Sequence, residues 1–218
     1  MRFLALLLFA IPFLSLAETI DRGDYPAEWF VEIPRDQGRG WEILPQDAKP
    51  GEVILSKRTV LGLFSNFADS PFILDGKSYA SIEGLWQGLK YPDPTLVDDE
   101  RLAINSWPFT RDEVFAMVGW DAKSAGNQAN AIYNDNGLNL VTYGKHRFNY
   151  VDGAEGSDFH YELITRAIRE KVLQNPQIKS LLIKSKGLIL RPDHFMSSRY
   201  PKSFYYHKIL MKIRDHEL

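Results

Sequence analysis

Residues 64–91 constrain this chain more than any other stretch, because three local signals follow one another without a gap. Phe72-Ile73-Leu74 and Lys77-Ser78-Tyr79 flank Asp75-Gly76, a dipeptide suited to the positive-φ positions of a two-residue hairpin turn. Ser81 is placed to cap a helix over 82–90, and Pro92 and Pro94 stop it. At about 100° per residue, Glu83, Gln87 and Lys90 share one stripe of that helix, and Ile82, Leu85, Trp86 and Leu89 fill a separate arc. Gly84 and Gly88 lie beside the polar stripe. Each costs about 1 kcal/mol relative to alanine in a helix interior, so a ligand or another helix is expected to approach the backbone there. Glu, Gln and Lys at these spacings also suit an ordinary solvated face. Spacing alone leaves both readings open.

The rest of the chain supplies a domain around this segment. Residues 18–50 are rich in Pro, Gly and charge and read as an irregular extension, pinned by Trp29, Phe30 and Trp41. Val53-Ile54-Leu55 reads as a strand. Thr110-Arg111-Asp112-Glu113 is a capping box for a helix ending near Gly119, and Asp121 is expected to cap the next, running to about Tyr133. A turn over Asn134 to Gly137 precedes short strands at 138–143 and 147–150, flanking Gly144-Lys145. The longest helix is expected over about 158–174, where Leu163, Ile164, Ala167, Ile168 and Val172 keep helical spacing. Asn175-Pro176 ends it. A helix to about Ser185, a strand at Leu188-Ile189-Leu190 and a helix over 203–214 complete the order. This order predicts one predominantly helical α+β domain with small β-hairpins over residues 51–218.

The first residues predict export. Arg2 precedes the short apolar run Phe3 to Leu14, and Ser15-Leu16-Ala17 places small residues before a cleavage point after Ala17. Residues 1–17 therefore read as a signal peptide and the mature chain as secreted or periplasmic. The alternative is an uncleaved anchor, although the run falls short of the roughly 20 apolar residues of a comfortable span. No later segment is apolar enough to cross a membrane. Without residues 1–17, 25 basic residues face 28 acidic ones, so general electrostatic binding to nucleic acid is not indicated. Cysteine is absent. Disulfides, thiol catalysis and thiolate metal sites are excluded, and stability must come from packing.

Three motifs then stand at regular spacing: Phe64-Ser65-Asn66-Phe67, Leu74-Asp75-Gly76-Lys77, and Glu83-Gly84-Leu85-Trp86-Gln87-Gly88-Leu89-Lys90. Together they resemble the NADAR (YbiA-like) family, with weaker similarity over about residues 60–190 that takes in Lys171 and Asn175-Pro176. The resemblance implies a YbiA-like domain that cleaves N-glycosidic bonds of ribose-phosphate or ADP-ribosyl compounds, without a cofactor. Two positions depart from the family pattern. Gly84 stands where histidine commonly follows the glutamate, and no Trp-Gly pair occurs near the C-terminus.

Breaking a ribosyl C1′–N bond builds positive charge on the sugar, which a carboxylate stabilises while a base activates water. Glu83 suits either role. Lys90 can attack C1′ and form an imine, or, if it stays charged, hold a phosphate. Asn66 offers a donor and an acceptor for sugar or base, Gln87 positions the ligand, and Phe67 and Trp86 offer rings for stacking or simply for the core. The expected site is thus Glu83 and Lys90 for chemistry, with Asn66, Phe67, Trp86 and Gln87 for binding. The five histidines make no compact metal-binding pair. Asp193-His194 reads as an acid/base or orienting pair, or as a polar loop. The expected partner is a small ribosyl nucleotide or ADP-ribose. The competing readings are a module that binds such a ligand without cleaving it, and an exported effector acting on another cell.

Overall fold

The computed structural model describes residues 22–151 and 153–218, and the expected signal segment lies outside them. Among these residues are six α-helices: α1 (Ile82–Gly88), α2 (Arg111–Phe115), α3 (Gly119–Asn136), α4 (Ser157–Gln174), α5 (Pro176–Lys184) and α6 (Tyr206–Glu217). Six short strands form three pairs. β2 (Phe72–Leu74) with β3 (Lys77–Tyr79), and β4 (Val141–Tyr143) with β5 (His146–Phe148), are antiparallel hairpins. β1 (Glu52–Leu55) pairs in parallel with β6 (Ile189–Pro192), which joins the two ends of the domain. The fold is helical α+β, as expected. None of the described helices is long and apolar enough to cross a membrane.

Local chemistry explains the central hairpin and helix. Asp75 and Gly76 take φ of 50° and 79°, the two left-handed positions that the tight turn demands. Ser81 Oγ accepts from Gly84 N at 2.8 Å and donates to Met117 O at 2.9 Å, so one hydroxyl caps α1 and ties it to the end of α2. At the other end, Arg101 reaches Leu89 O at 2.8 Å and Lys90 O at 3.1 Å, and Arg111 reaches Tyr91 O at 2.9 Å. These carbonyls have no helical partner, and buried guanidinium groups satisfy them at the negative end of the helix. Asp99 balances Arg101 at 2.7 Å in the same buried network.

The two glycines of α1 are explained by a helix and not by a ligand. A Cβ on Gly84 would stand 2.5 Å from Met117 O, and one on Gly88 would stand 2.3 Å from the Phe115 ring. Both glycines let α2 close on α1. Gly84 therefore stands where the backbone of residues 114–117 leaves no room for a histidine side chain.

Several boundaries differ from the sequence expectation. α2 stops at Phe115, because its last turn gives way to the chain reversal that meets Ser81. α3 begins at Gly119, and Asp121 sits inside its first turn without capping it. Gly119 takes φ 56° and donates its N–H to Phe67 O at 3.0 Å, which starts the helix three residues early. α3 also runs through Asn134 to Asn136 and ends on the left-handed Gly137, φ 65°. The last helix starts at Tyr206, after a 3₁₀ turn over Lys202–Phe204.

The core gathers α1, α4, α6, β1 and the β2–β3 hairpin around Leu85, Leu89, Leu163, Ile168, Val172 and Ile213. Residues 22–50 carry four short 3₁₀ turns and no α-helix or paired strand. Trp29 is nonetheless fully buried in this core, and Leu44 is buried too.

Candidate functional site

A cavity of about 910 Å³ opens over the face of α1 that carries Glu83, Trp86 and Gln87. Its first wall is the loop Ser65-Asn66-Phe67, whose three carbonyls are all bonded. Ser65 O accepts from Lys171 Nζ at 2.7 Å, Asn66 O from Glu83 N at 2.9 Å, and Phe67 O from Gly119 N. With the backbone held from three elements, Asn66 and Phe67 both line the cavity. Lys171 is fully buried in α4, and desolvation lowers its pKa to about 7. Only tertiary packing brings it to Ser65.

The polar stripe of α1 is divided. Glu83 and Gln87 line the cavity, whereas Lys90 does not. Lys90 stands two turns along the axis, roughly 10 Å from Glu83 at 1.5 Å per residue. Its Nζ is bonded to Asn130 of α3 at 2.8 Å and lies 5.5 Å from the Trp86 ring centroid. Burial, aided by the charge of Lys123, lowers its pKa to about 8 against the opposing pull of Glu83.

Gln87 Nε2 donates to Glu83 Oε1 at 2.7 Å. The amide fits because residue 126 of α3 is glycine, where a Cβ would fall 1.7 Å from Gln87 Oε1. That oxygen is buried without a hydrogen-bond partner in the protein. Desolvation raises the pKa of Glu83, and the Gln87 bond and the Lys123 and Lys90 charges only partly offset it. Glu83 therefore keeps its proton to a higher pH than an exposed carboxyl does. A carboxyl that holds its proton longer is better suited to donate it.

Trp86 forms part of the wall within a cluster of rings. His160 lies 4.5 Å away between centroids, Tyr150 4.7 Å and Phe204 6.2 Å. The rim is aromatic as well. Among the described residues, the large exposed aromatics are Trp41, Trp120, Phe195 and Tyr200, and all four line this cavity. Rings left in water around one opening mark a surface for a ligand. Lys57 completes this side, 5.9 Å from the ring centroids of both Trp41 and Phe67.

Sequence reasoning marked Trp41 only as a pin for the extension and missed Lys57, Trp120, Lys123 and His160 as lining residues. They come from segments far apart in the chain, and none belongs to a spaced motif. Among the described residues no group of three or more His, Asp or Glu side chains is placed to hold a metal ion.

No protein-family model matches the chain. It is 31% identical over 127 residues to an uncharacterized 17.1 kDa protein in the Gp30-rIII intergenic region of Enterobacteria phage T4, covering 58% of this chain and 69% of that protein. Among solved structures it is similar to the NMR structure of the E. coli protein YbiA, at a TM-score of 0.46 and 17% identity, covering 84% of this chain and 92% of that one.

Proposed function

The chain belongs to the family of the phage T4 17.1 kDa protein, and from that premise we propose that it carries a YbiA-like domain and is an N-glycosidase. Its substrate is a ribosyl nucleotide or an ADP-ribosyl compound, and it hydrolyses the C1′–N bond. The observation that carries this reading is Glu83, a buried carboxyl with a raised pKa on the wall of a large aromatic cavity.

Cleavage leaves electron density on the departing nitrogen and positive charge on the sugar. Gln87 occupies Oε1 of Glu83, which leaves Oε2 to carry the proton for the departing base. Once ionised, the same carboxylate faces the developing oxocarbenium ion. In this reading Lys90 is the second member of the chemical pair and acts from beneath Trp86, where its charge biases the ionisation of Glu83. Asn66 bonds the sugar, Phe67 and Trp86 flank it, and Trp41 and Trp120 stack on the base. Lys123, on the same wall as Glu83, takes phosphate as a point charge. Export by the segment at residues 1–17 is part of the proposal, and detection of the protein solely in the cytosolic fraction would contradict it.

Mass spectrometry of free base released from ribose-phosphate and ADP-ribose compounds tests the assignment. Glu83→Gln is expected to lower turnover on the order of 10²–10⁴-fold while ligand binding persists, and Lys90→Ala to lower it as well. Unchanged turnover in both variants rejects the assignment. Binding by the wild type with no base released identifies a non-catalytic module.

A further inference from the structure

The loop after β6 holds a charged cluster that proton donation from Glu83 leaves unused. Asp193 is fully buried, with Lys57 Nζ 2.7 Å from both carboxylate oxygens and His194 Nδ1 2.9 Å from Oδ1. The backbone is held as well. Asp193 O accepts from Ile43 N at 2.8 Å, and Glu42 forms an antiparallel bridge with His194. Burial pushes the Asp193 carboxyl up, but the bonds from His194 and Lys57 outweigh it and hold its pKa below the usual range. A charged carboxylate at Nδ1 fixes the imidazole tautomer. In the neutral ring the proton then sits on Nδ1, and Nε2 has the lone pair.

His194 lines the same cavity as Glu83. We propose that His194 is the general base for the attacking water, with Asp193 and Lys57 as its positioning residues. This inference rests on the N-glycosidase reading. Nε2 takes one proton from water as the water oxygen bonds to C1′. The C1′–N bond breaks, and its electron pair leaves with the base nitrogen, which takes the proton of Glu83. Imidazolium and carboxylate then return to their starting states by proton exchange through solvent. Separate acid and base groups with a water between them are the equipment of direct hydrolysis, without a covalent intermediate.

The charged and titratable groups around His194 belong to four segments. Asp193 and Lys57 hold its Nδ1 side. Glu42, itself paired with Arg58 at 2.6 Å, comes from the N-terminal segment. Tyr206 and His207 come from α6, where burial lowers the pKa of His207 to about 4 and leaves it neutral in the working range.

The test is the pH dependence of base release by wild type and by His194→Gln. The glutamine amide can donate to Asp193 but cannot take a proton from water. Wild type is expected to show an acid limb in kcat/KM. His194→Gln is expected to lose that limb and roughly 10²–10⁴-fold in kcat, with KM little changed. His194→Ala is expected to recover turnover when imidazole is added. Wild-type kcat with the acid limb intact in His194→Gln overturns the inference. So does a loss confined to KM that imidazole does not restore, which makes His194 a binding residue. No base release from wild type sinks the glycosidase reading and this inference together. Release with an unchanged His194→Gln profile sinks this inference alone.

Discussion

Gly84 separates a packing requirement from a functional one. Its backbone faces the carbonyls of Val114, Phe115 and Met117, and a Cβ would come within 2.5 Å of the last of these. Backbone cannot yield as a side-chain tip can. Gly84→Ala is therefore expected to destabilise the fold by about 1–3 kcal/mol despite alanine's better helix propensity. Urea denaturation checks the sign, and a variant as stable as wild type would show that α1 and α2 are farther apart than described. The absence of histidine at this position follows from that close approach. Its neighbour Glu83, about 100° around the helix, lines the cavity.

At the scale of elements, α4 meets the site through one buried ammonium group. Lys171 has a pKa of about 7 in the folded protein, against about 10.4 for an ordinary lysine. Between those values the unfolded chain binds more protons, so stability rises with pH across that window and falls as pH drops through it. Lys90, at about 8, adds a smaller effect of the same sign. Thermal unfolding from pH 7 to about 10 should therefore show wild type gaining stability relative to Lys171→Met. Parallel curves for the two proteins would mean that Lys171 is not desolvated. The substitution also removes the bond to Ser65 O, so the loop carrying Asn66 is expected to loosen and ligand affinity to fall.

For the whole molecule, the N-terminal segment is part of both the core and the cavity. Trp29 is fully buried, and Trp29→Ala is expected to cost about 3–5 kcal/mol, read from chemical denaturation. Loss of less than about 1 kcal/mol would make the segment an appendage. Trp41 lies farther along the same segment, at the cavity rim, about half exposed. Trp41→Ala should leave stability nearly unchanged and weaken binding of a base-bearing ligand by about 1–3 kcal/mol, measured by calorimetry. Equal affinity in both proteins would remove Trp41 from the site.

Much of this was readable along the chain because local chemistry acts over a few residues. Asp75-Gly76 names its turn, Ser81 names the start of α1, and the spacing of Leu163 to Val172 names the buried face of α4. These depend on φ preferences, capping bonds and helical period, which adjacent residues set among themselves. The parallel pairing of β1 with β6, the arrival of Lys171 at Ser65 and the convergence of Lys57, Asp193 and His194 depend on which distant segments pack together. So does the fate of the α1 stripe. Periodicity puts Glu83, Gln87 and Lys90 on one side, but α3 covers Lys90 and leaves Glu83 and Gln87 at the cavity. Dihedral angles carry one kind of information and burial the other, and burial is a property of the packed whole.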